Sequence, residues 1–277
     1  MVRALDQITA ATRRRVLDAK HSWDRRHLED LAEMHIPRGF RQRLEARSQS
    51  GPAVIAELKK ASPSRGLIRS DFDPRSLAIE LEQAGAVALS VLTNEEFFQG
   101  SLGNLQSASA AAALPCLRKD FIVDETQVLE ARANQADAIL LIVAALSQAE
   151  LEMLARRAGE YRLDVLCEVH DREEVQRAID AGCNLIGVNN RDLQTFKVDL
   201  RTALRLADSI PPEAVRVAES GIRSGAEIAQ LRSAGYQAFL IGESLMQEKS
   251  PGAALRTLLA EANSPGTVHG EREVDHS

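Results

Sequence analysis

The chain has 277 residues, with 34 Lys and Arg against 40 Asp and Glu, a formal net charge of −6. That mild acidity argues against a general binder of polyanions such as nucleic acid, and a hydrophobic content of 44% excludes disorder of the whole chain. Aromatic residues make up only 4%, so the core must be built from Leu, Ile, Val and Ala, as in parallel sheets and barrel interiors.

The longest apolar run, Ala138 to Leu146, falls far short of the roughly 20 residues of a membrane span. The N-terminus has scattered charges and no apolar stretch of a secretory signal, so no membrane partner is expected and the cytoplasm is the expected compartment. Cys116, Cys167 and Cys183 form no C-x-x-C pair and are expected to be reduced core residues. None of the histidines has H-x-x-x-H or H-E-x-x-H spacing, so no metal site is expected.

In chain order, residues 1–50 carry helical patterns broken at Pro37 and Gly39, an N-terminal helical extension ahead of the first strand. Eight short aliphatic runs follow, beginning at Ala53, Ala88, Leu114, Ala138, Asp164, Leu185, Val215 and Ala238. Their mean spacing of about 26 residues is the size of one strand–helix unit. Between them lie amphipathic stretches with helix grammar: Asp73 before Pro74, Asp171 and Ser224 start them, and Gly85, Gly182 and Gly235 end them. An open doubly wound sheet shares that grammar, and the count of eight favours a single (β/α)8 TIM barrel over residues 51–263. Residues 264–277 are polar and aperiodic and are expected to form a disordered tail.

A barrel's active site lies at the C-terminal ends of its strands, so charges that close apolar runs are the informative ones. Glu57 and Lys59 close the first run two residues apart, on the face of Ile55. Lys119 closes the third on the face of Leu117, Glu168 the fifth, Asn189 and Arg191 the sixth, Glu219 and Ser220 the seventh, Gly242 and Glu243 the eighth. One such charge often marks only where a strand meets solvent; acids, amines and amides in six strands point to general acid and base catalysis. Gly221 and Gly242 fall in the loops after strands seven and eight, where barrels often bind phosphate. The long polar segment from Lys60 to Pro74, with Ser62, Ser64 and Arg65, reads as a lid that touches an anionic substrate.

The run VIAELKKASPSRGLI (Val54 to Ile68) resembles the signature of the indole-3-glycerol phosphate synthase family. SVLTNEEFFQGSLGNL, LRKDFIVDETQV, AILLIVAAL, EVHDREE, IGVNNRDLQTF, AESGI and FLIGESLM are similar to further family blocks in family order. The resemblance implies a carboxy-lyase of tryptophan biosynthesis. Such an enzyme closes, decarboxylates and dehydrates 1-(2-carboxyphenylamino)-1-deoxyribulose 5-phosphate, without a cofactor. It implies Lys119 as the general acid of ring closure, with Lys59, Glu57 and Glu168 sharing the dehydration, their acid and base roles left open. Asn189 is implied as a partner of a substrate hydroxyl, Arg191 as a neighbour of the anthranilate carboxylate, and Ser62 and Glu219 as further substrate contacts. Ser220, Gly221, Gly242 and Glu243 are implied as the phosphate cradle, Glu243 through its backbone N–H because its carboxylate would repel a phosphate. Phe98, Phe121 and Leu140 are implied as the apolar wall beside the aromatic ring, although plain barrel core is the composition's own reading of them.

Asn94, where many members have Asp, and Glu243, where some have Ser, are the departures. Sister phosphate-binding barrels, such as a phosphoribosyl-anthranilate isomerase or a tryptophan synthase α subunit, lack the E-L-K-K-x-S-P-S run and the Lys59 and Lys119 pair. A non-catalytic barrel would show a broken acid and base set. The expected partner is a phosphorylated small molecule, and the expected assembly a monomer or weak homodimer.

Overall fold

The computed structural model describes residues 4–20, 23–192 and 195–264. The expected tail lies, except for Ser264, outside the described residues. Eight parallel strands close into a barrel: β1 (Ala53–Leu58), β2 (Ala88–Leu92), β3 (Cys116–Lys119), β4 (Ala138–Ile142), β5 (Asp164–Val169), β6 (Leu185–Asn189), β7 (Val215–Glu219) and β8 (Ala238–Ile241). Each strand pairs with its sequence neighbours, and β1 pairs with β8 through Ala53 opposite Ala238 and Ala56 opposite Ile241. Seven strands begin where the apolar runs begin. The third starts two residues later than Leu114, after Pro115, which has no N–H to give to a ladder.

Alternation along the strands divides the core in two. Val54, Ala56, Leu89, Val91, Ile139, Leu141, Ile186 and Val188 face outward onto the helices. Ile55, Leu117, Leu140, Leu166, Val217 and Leu240 face inward and fill the barrel. The expected helix punctuation is present: Asp73, Asp171 and Ser224 accept N-cap hydrogen bonds, and Gly85, Gly182 and Gly235 take positive φ values of 100°, 78° and 93° as the chain turns back to the sheet.

The N-terminal segment forms α1 (Ala4–Ala19), α2 (Arg25–Met34) and α3 (Phe40–Ser48). Phe40 and Leu44 of α3 are fully buried against the inward-facing cluster and close its floor. Leu5 of α1 packs on the same cluster, and Leu5 and Ile8 line the cavity at the opposite end of the barrel. A polar clamp fixes the link between α2 and α3. Arg38 donates to Asp137 at 2.6 and 3.1 Å, to the Ser109 and Ala112 carbonyls at 3.1 Å each, and to the Ser109 hydroxyl at 2.7 Å. Asp137 also accepts the backbone N–H of Cys116 at 2.7 Å and lies 3.1 Å from His35. Burial pushes the Asp137 carboxyl up, but His35 and Arg38 outweigh it and hold it below the usual carboxylate range.

The cysteines correct one expectation. Cys167 of β5 and Cys183 are joined as a disulfide, with Cα atoms 6.6 Å apart. Cys167 points outward from its strand, and the turn through Gly182 folds the chain so that Cys183 meets it. Cys116 stays free and buried.

Removing Arg38 leaves the Asp137 charge buried without its main cation. Arg38→Ala is expected to lose about 3 kcal/mol of stability, read as a lower urea midpoint with an unchanged slope.

Candidate active site

Every site residue expected from the sequence lines one cavity of about 1050 Å³ at the C-terminal end of the barrel. Its floor is built by the same inward alternation that fills the barrel. Ile55 is followed by Glu57 and Lys59, Leu117 by Lys119, Leu166 by Glu168, and Val217 by Glu219. The interior therefore changes from aliphatic to ionisable in a single layer.

Lys119 sits between two carboxylates, with Nζ 3.2 Å from Glu168 Oε2 and 3.7 Å from Glu219 Oε2. Burial pulls its ammonium pKa down, but Glu168, Glu219 and Glu57 outweigh that and raise it, so Lys119 is charged at neutral pH. Lys59 Nζ lies 2.5 Å from Glu57 Oε1. Burial pushes Glu57 and Glu168 up; Lys59 and Lys119 reverse this for Glu57, while Lys119, His170 and a hydrogen bond from Asn189 reverse it for Glu168, so both sit below the ordinary carboxylate range. Glu219 goes the other way. Burial and the neighbouring Glu168 charge push it up to about 8. Two ammonium groups thus face three carboxylates, and Glu219 relieves the imbalance by holding a proton near neutrality. Gly187 beneath it leaves its carboxylate room, because a Cβ there would stand 2.1 Å from Glu219 Oε1 as it is now placed.

Around this floor the wall is divided. Phe98 and Phe121, with ring centroids 6.4 Å apart, and Leu140 form an apolar side. Facing it are Ser220 and Gly221 after β7, both in left-handed backbone at φ 65° and 84°. They stand in the loop after β7, where barrels often bind phosphate through backbone N–H groups. Ser220 has no glycine's freedom, so something must hold it. Asn190 does: its side-chain amide donates to the carbonyls of Glu219 at 3.0 Å and Ser220 at 3.2 Å, while its carbonyl accepts from Ala203 N–H at 3.0 Å. Asn190 is not among the residues expected from the sequence, although its place beside Asn189 at the end of an apolar strand is a usable signal.

Gly242 completes that side. A Cβ there would fall 2.5 Å from Glu57 Oε1, so only glycine lets the β8 loop approach the carboxylate layer. The Glu243 side chain turns to Arg65 Nε at 3.0 Å and Arg191 Nη2 at 3.1 Å. The first loop folds across the mouth as a short hairpin, Ala61–Ser62 against Gly66–Leu67, with Ser62 lining the cavity. Arg69 ties it down by donating to the Glu248 carbonyl at 2.8 Å. Asn94 keeps a local role, capping Phe97 N–H and donating to Asp120 at 3.2 Å.

Among the described residues no helix is long and apolar enough to cross a membrane, and no group of three His, Cys, Asp or Glu is placed to hold a metal ion.

A family model described as indole-3-glycerol phosphate synthase matches residues 5–258. A curated relative with that description from Koribacter versatilis (strain Ellin345) is 58% identical over 259 residues, 94% of this chain and 100% of its own length. Another, from Acidithiobacillus ferrooxidans, is 54% identical over 223 residues, 80% of this chain and 85% of the relative. Among solved structures, a 3-hexulose-6-phosphate synthase superposes with a TM-score of 0.62 at 13% identity, covering 76% of this chain and 99% of that one. Thiamine phosphate pyrophosphorylase from Pyrococcus furiosus gives 0.57 at 16% identity, with coverage of 77% and 95%. At those identities the likeness is one of fold.

The carboxylate layer yields its own test. Replacing Glu168 by Gln removes the like charge beside Glu219, so the Glu219 carboxyl should titrate below about 8, read by carboxyl 13C chemical shifts across pH.

Proposed function

The chain belongs to the indole-3-glycerol phosphate synthase family, and we propose that Lys119, Lys59, Glu57 and Glu168 carry the proton transfers of its reaction. That activity, in tryptophan biosynthesis, converts 1-(2-carboxyphenylamino)-1-deoxyribulose 5-phosphate to indole-3-glycerol phosphate with loss of CO2 and water. The observation that carries the assignment is Lys119 at the base of the cavity, 3.2 Å from Glu168, between the Phe98 and Phe121 wall and the left-handed Ser220–Gly221 turn.

In this reading the aromatic ring lies against Phe98, Phe121 and Leu140, and the phosphate lies against the N–H groups of Ser220, Gly221 and Glu243. Gly242 gives that end its close approach and Ser62 closes over it. Arg191 meets the substrate carboxylate, Asn189 binds a hydroxyl of the sugar chain, and Glu219, carrying a proton, donates a hydrogen bond. The ring carbon that bears the carboxylate attacks the ketone carbon, and the carbonyl oxygen takes a proton from Lys119 as the C–C bond forms. Breaking the bond to the carboxylate releases CO2 and returns its electron pair to the ring. Rearomatisation supplies the driving force that a cofactor would otherwise provide.

Dehydration follows. The nitrogen lone pair expels the new hydroxyl, which leaves as water with a proton from Lys59, and Glu168 takes the adjacent C–H proton to complete the indole. Glu57, 2.5 Å from its Nζ, aims Lys59 at the hydroxyl. The depressed Glu57 and Glu168 and the charged Lys119 suit these roles, because base and acid are then both present in their active forms near neutral pH. The reading is completed by a cytoplasmic enzyme acting as a monomer or weak homodimer on a phosphorylated small molecule. Light scattering on the purified chain reads its association state.

Lys119→Ala should lower turnover by about 10²- to 10⁴-fold, followed as the appearance of indole fluorescence, with far-UV circular dichroism unchanged; near-parental turnover would remove Lys119 from the chemistry. Gly242→Asp, which adds both a charge beside the phosphate and a Cβ against Glu57, should raise KM about tenfold or more, equivalent to roughly 1.4 kcal/mol of binding; an unchanged KM would contradict the cradle.

A further inference from the structure

The inward series of β5 does not stop at Glu168. Two residues on, His170 continues the same face and comes back against the carboxylate layer from its outer side. Its Nε2 lies 3.6 Å from Glu168 Oε1, the oxygen that Lys119 does not bridge. This nitrogen is buried and has no hydrogen-bond partner among the described residues. On its other edge, Nδ1 lies 3.0 Å from Glu174 Oε2, and the same oxygen accepts the His170 backbone N–H at 2.8 Å. Glu174 stands in the first turn of the helix Arg172–Asp180, whose N-cap Asp171 holds that turn in place. The result is an unbroken file of Glu174, His170, Glu168 and Lys119 running from the helix to the centre of the cavity.

The imidazole is held like a ligand side chain but faces a carboxylate instead of a metal. A carboxylate that accepts the N–H of one ring nitrogen fixes the orientation of the ring and raises the basicity of the other nitrogen, which becomes a donor when the ring is protonated. We infer that His170 is a positioning residue of the reaction, which keeps Glu168 aimed and ionised by presenting a positively charged N–H to the oxygen opposite Lys119. The inference rests on Glu168 accepting the C–H proton in dehydration.

The groups that face His170 set its charge. Glu168 approaches along its own strand, Glu174 from the packed helix and Glu219 from β7, with Lys119 behind the two cavity carboxylates. Arg177 of the same helix is engaged elsewhere, donating to the carbonyls of Val143 and Leu146 in the turn after β4. Burial pulls the imidazole pKa down, but Glu174, Glu168 and Glu219 outweigh it and raise it above 6.5. His170 therefore carries charge further toward neutral pH than a free histidine. Without that charge Glu168 is compensated from one side only, its pKa rises, and the rate falls away sooner as pH drops.

The test is the pH profile of kcat in the intact enzyme. His170→Gln keeps an N–H donor of similar reach but cannot ionise. Its acid limb should move up by about one pH unit, so that turnover on that limb falls about tenfold, while KM stays within about twofold because the residue does not touch substrate. Glu174→Gln still accepts the His170 backbone N–H and should move the limb in the same direction by less. A His170→Gln limb that superimposes on the parent's overturns the inference. Should that variant not fold, the His170 imidazole is titrated by 15N–1H correlation spectroscopy in the parent and in Glu174→Gln. A pKa above 6.5 that falls in the variant supports the inference, and one at or below 6.5 in the parent overturns it. Glu168→Gln separates the two readings. Parental turnover there removes Glu168 from the mechanism altogether, whereas a dead Glu168→Gln with an unmoved His170→Gln limb removes only His170.

Discussion

Everything at the mouth of this barrel depends on putting charges where water is scarce. Glu57, Glu168 and Glu219 are almost fully buried, and a lone carboxylate in such a place would either unfold its surroundings or take up a proton. Lys119 prevents both for Glu168 and Lys59 for Glu57, while Glu219, the unmatched third, is pushed toward protonation. Acid and base forms are thus separated by placement alone. The cost falls on the rest of the fold: removing one partner of a buried pair typically costs about 3–5 kcal/mol, and the aliphatic barrel floor with its α3 plug must hold the layer rigid against that penalty.

The same layer explains why the loops around it are so constrained. Glycine at 187 and 242 leaves room that the Glu219 and Glu57 side chains fill, and at 242 a Cβ would meet the Glu57 Cβ itself at 2.7 Å. Ser220 is held in a left-handed conformation by Asn190, whose side chain bonds to backbone groups of two neighbouring units. Such positions store strain for a purpose; here the strained turn faces the proposed phosphate end, away from the apolar wall.

Much of this was legible in the sequence because two periodicities coincide. Strands repeat about every 26 residues, and within a strand the inward face repeats every two, so Glu57, Lys59, Lys119 and Glu168 could be assigned to one mouth before any coordinates. What escaped was set by contacts between units. Asn190 is an outward neighbour of an inward residue, and its partners lie 13 to 30 residues away. His170 lies one step past the strand end, where alternation is no longer assured, and its carboxylate partner comes from the following helix. The Cys167–Cys183 pair and the Arg38–Asp137 clamp depend on how a turn or a linker returns to the barrel, and no spacing rule encodes either.

Closure of the barrel does one thing an open sheet with the same units would not. It makes the first and last strands neighbours, so that Ala56 stands opposite Ile241 across 185 residues of chain. The loop after β1 is thereby delivered next to the loop after β8, and Arg65 and Arg69 reach Glu243 and the Glu248 carbonyl directly. The lid-like segment and the proposed phosphate end are therefore one mechanical unit, and their contacts span separations of 178 and 179 residues. Glu243 also holds Arg191 from the loop after β6, which gives both arginines an anionic partner inside a chain of net charge −6. An arginine already oriented by a carboxylate loses less side-chain freedom when a second anion arrives. The acidic partner thus serves anion recognition by keeping the cations in place.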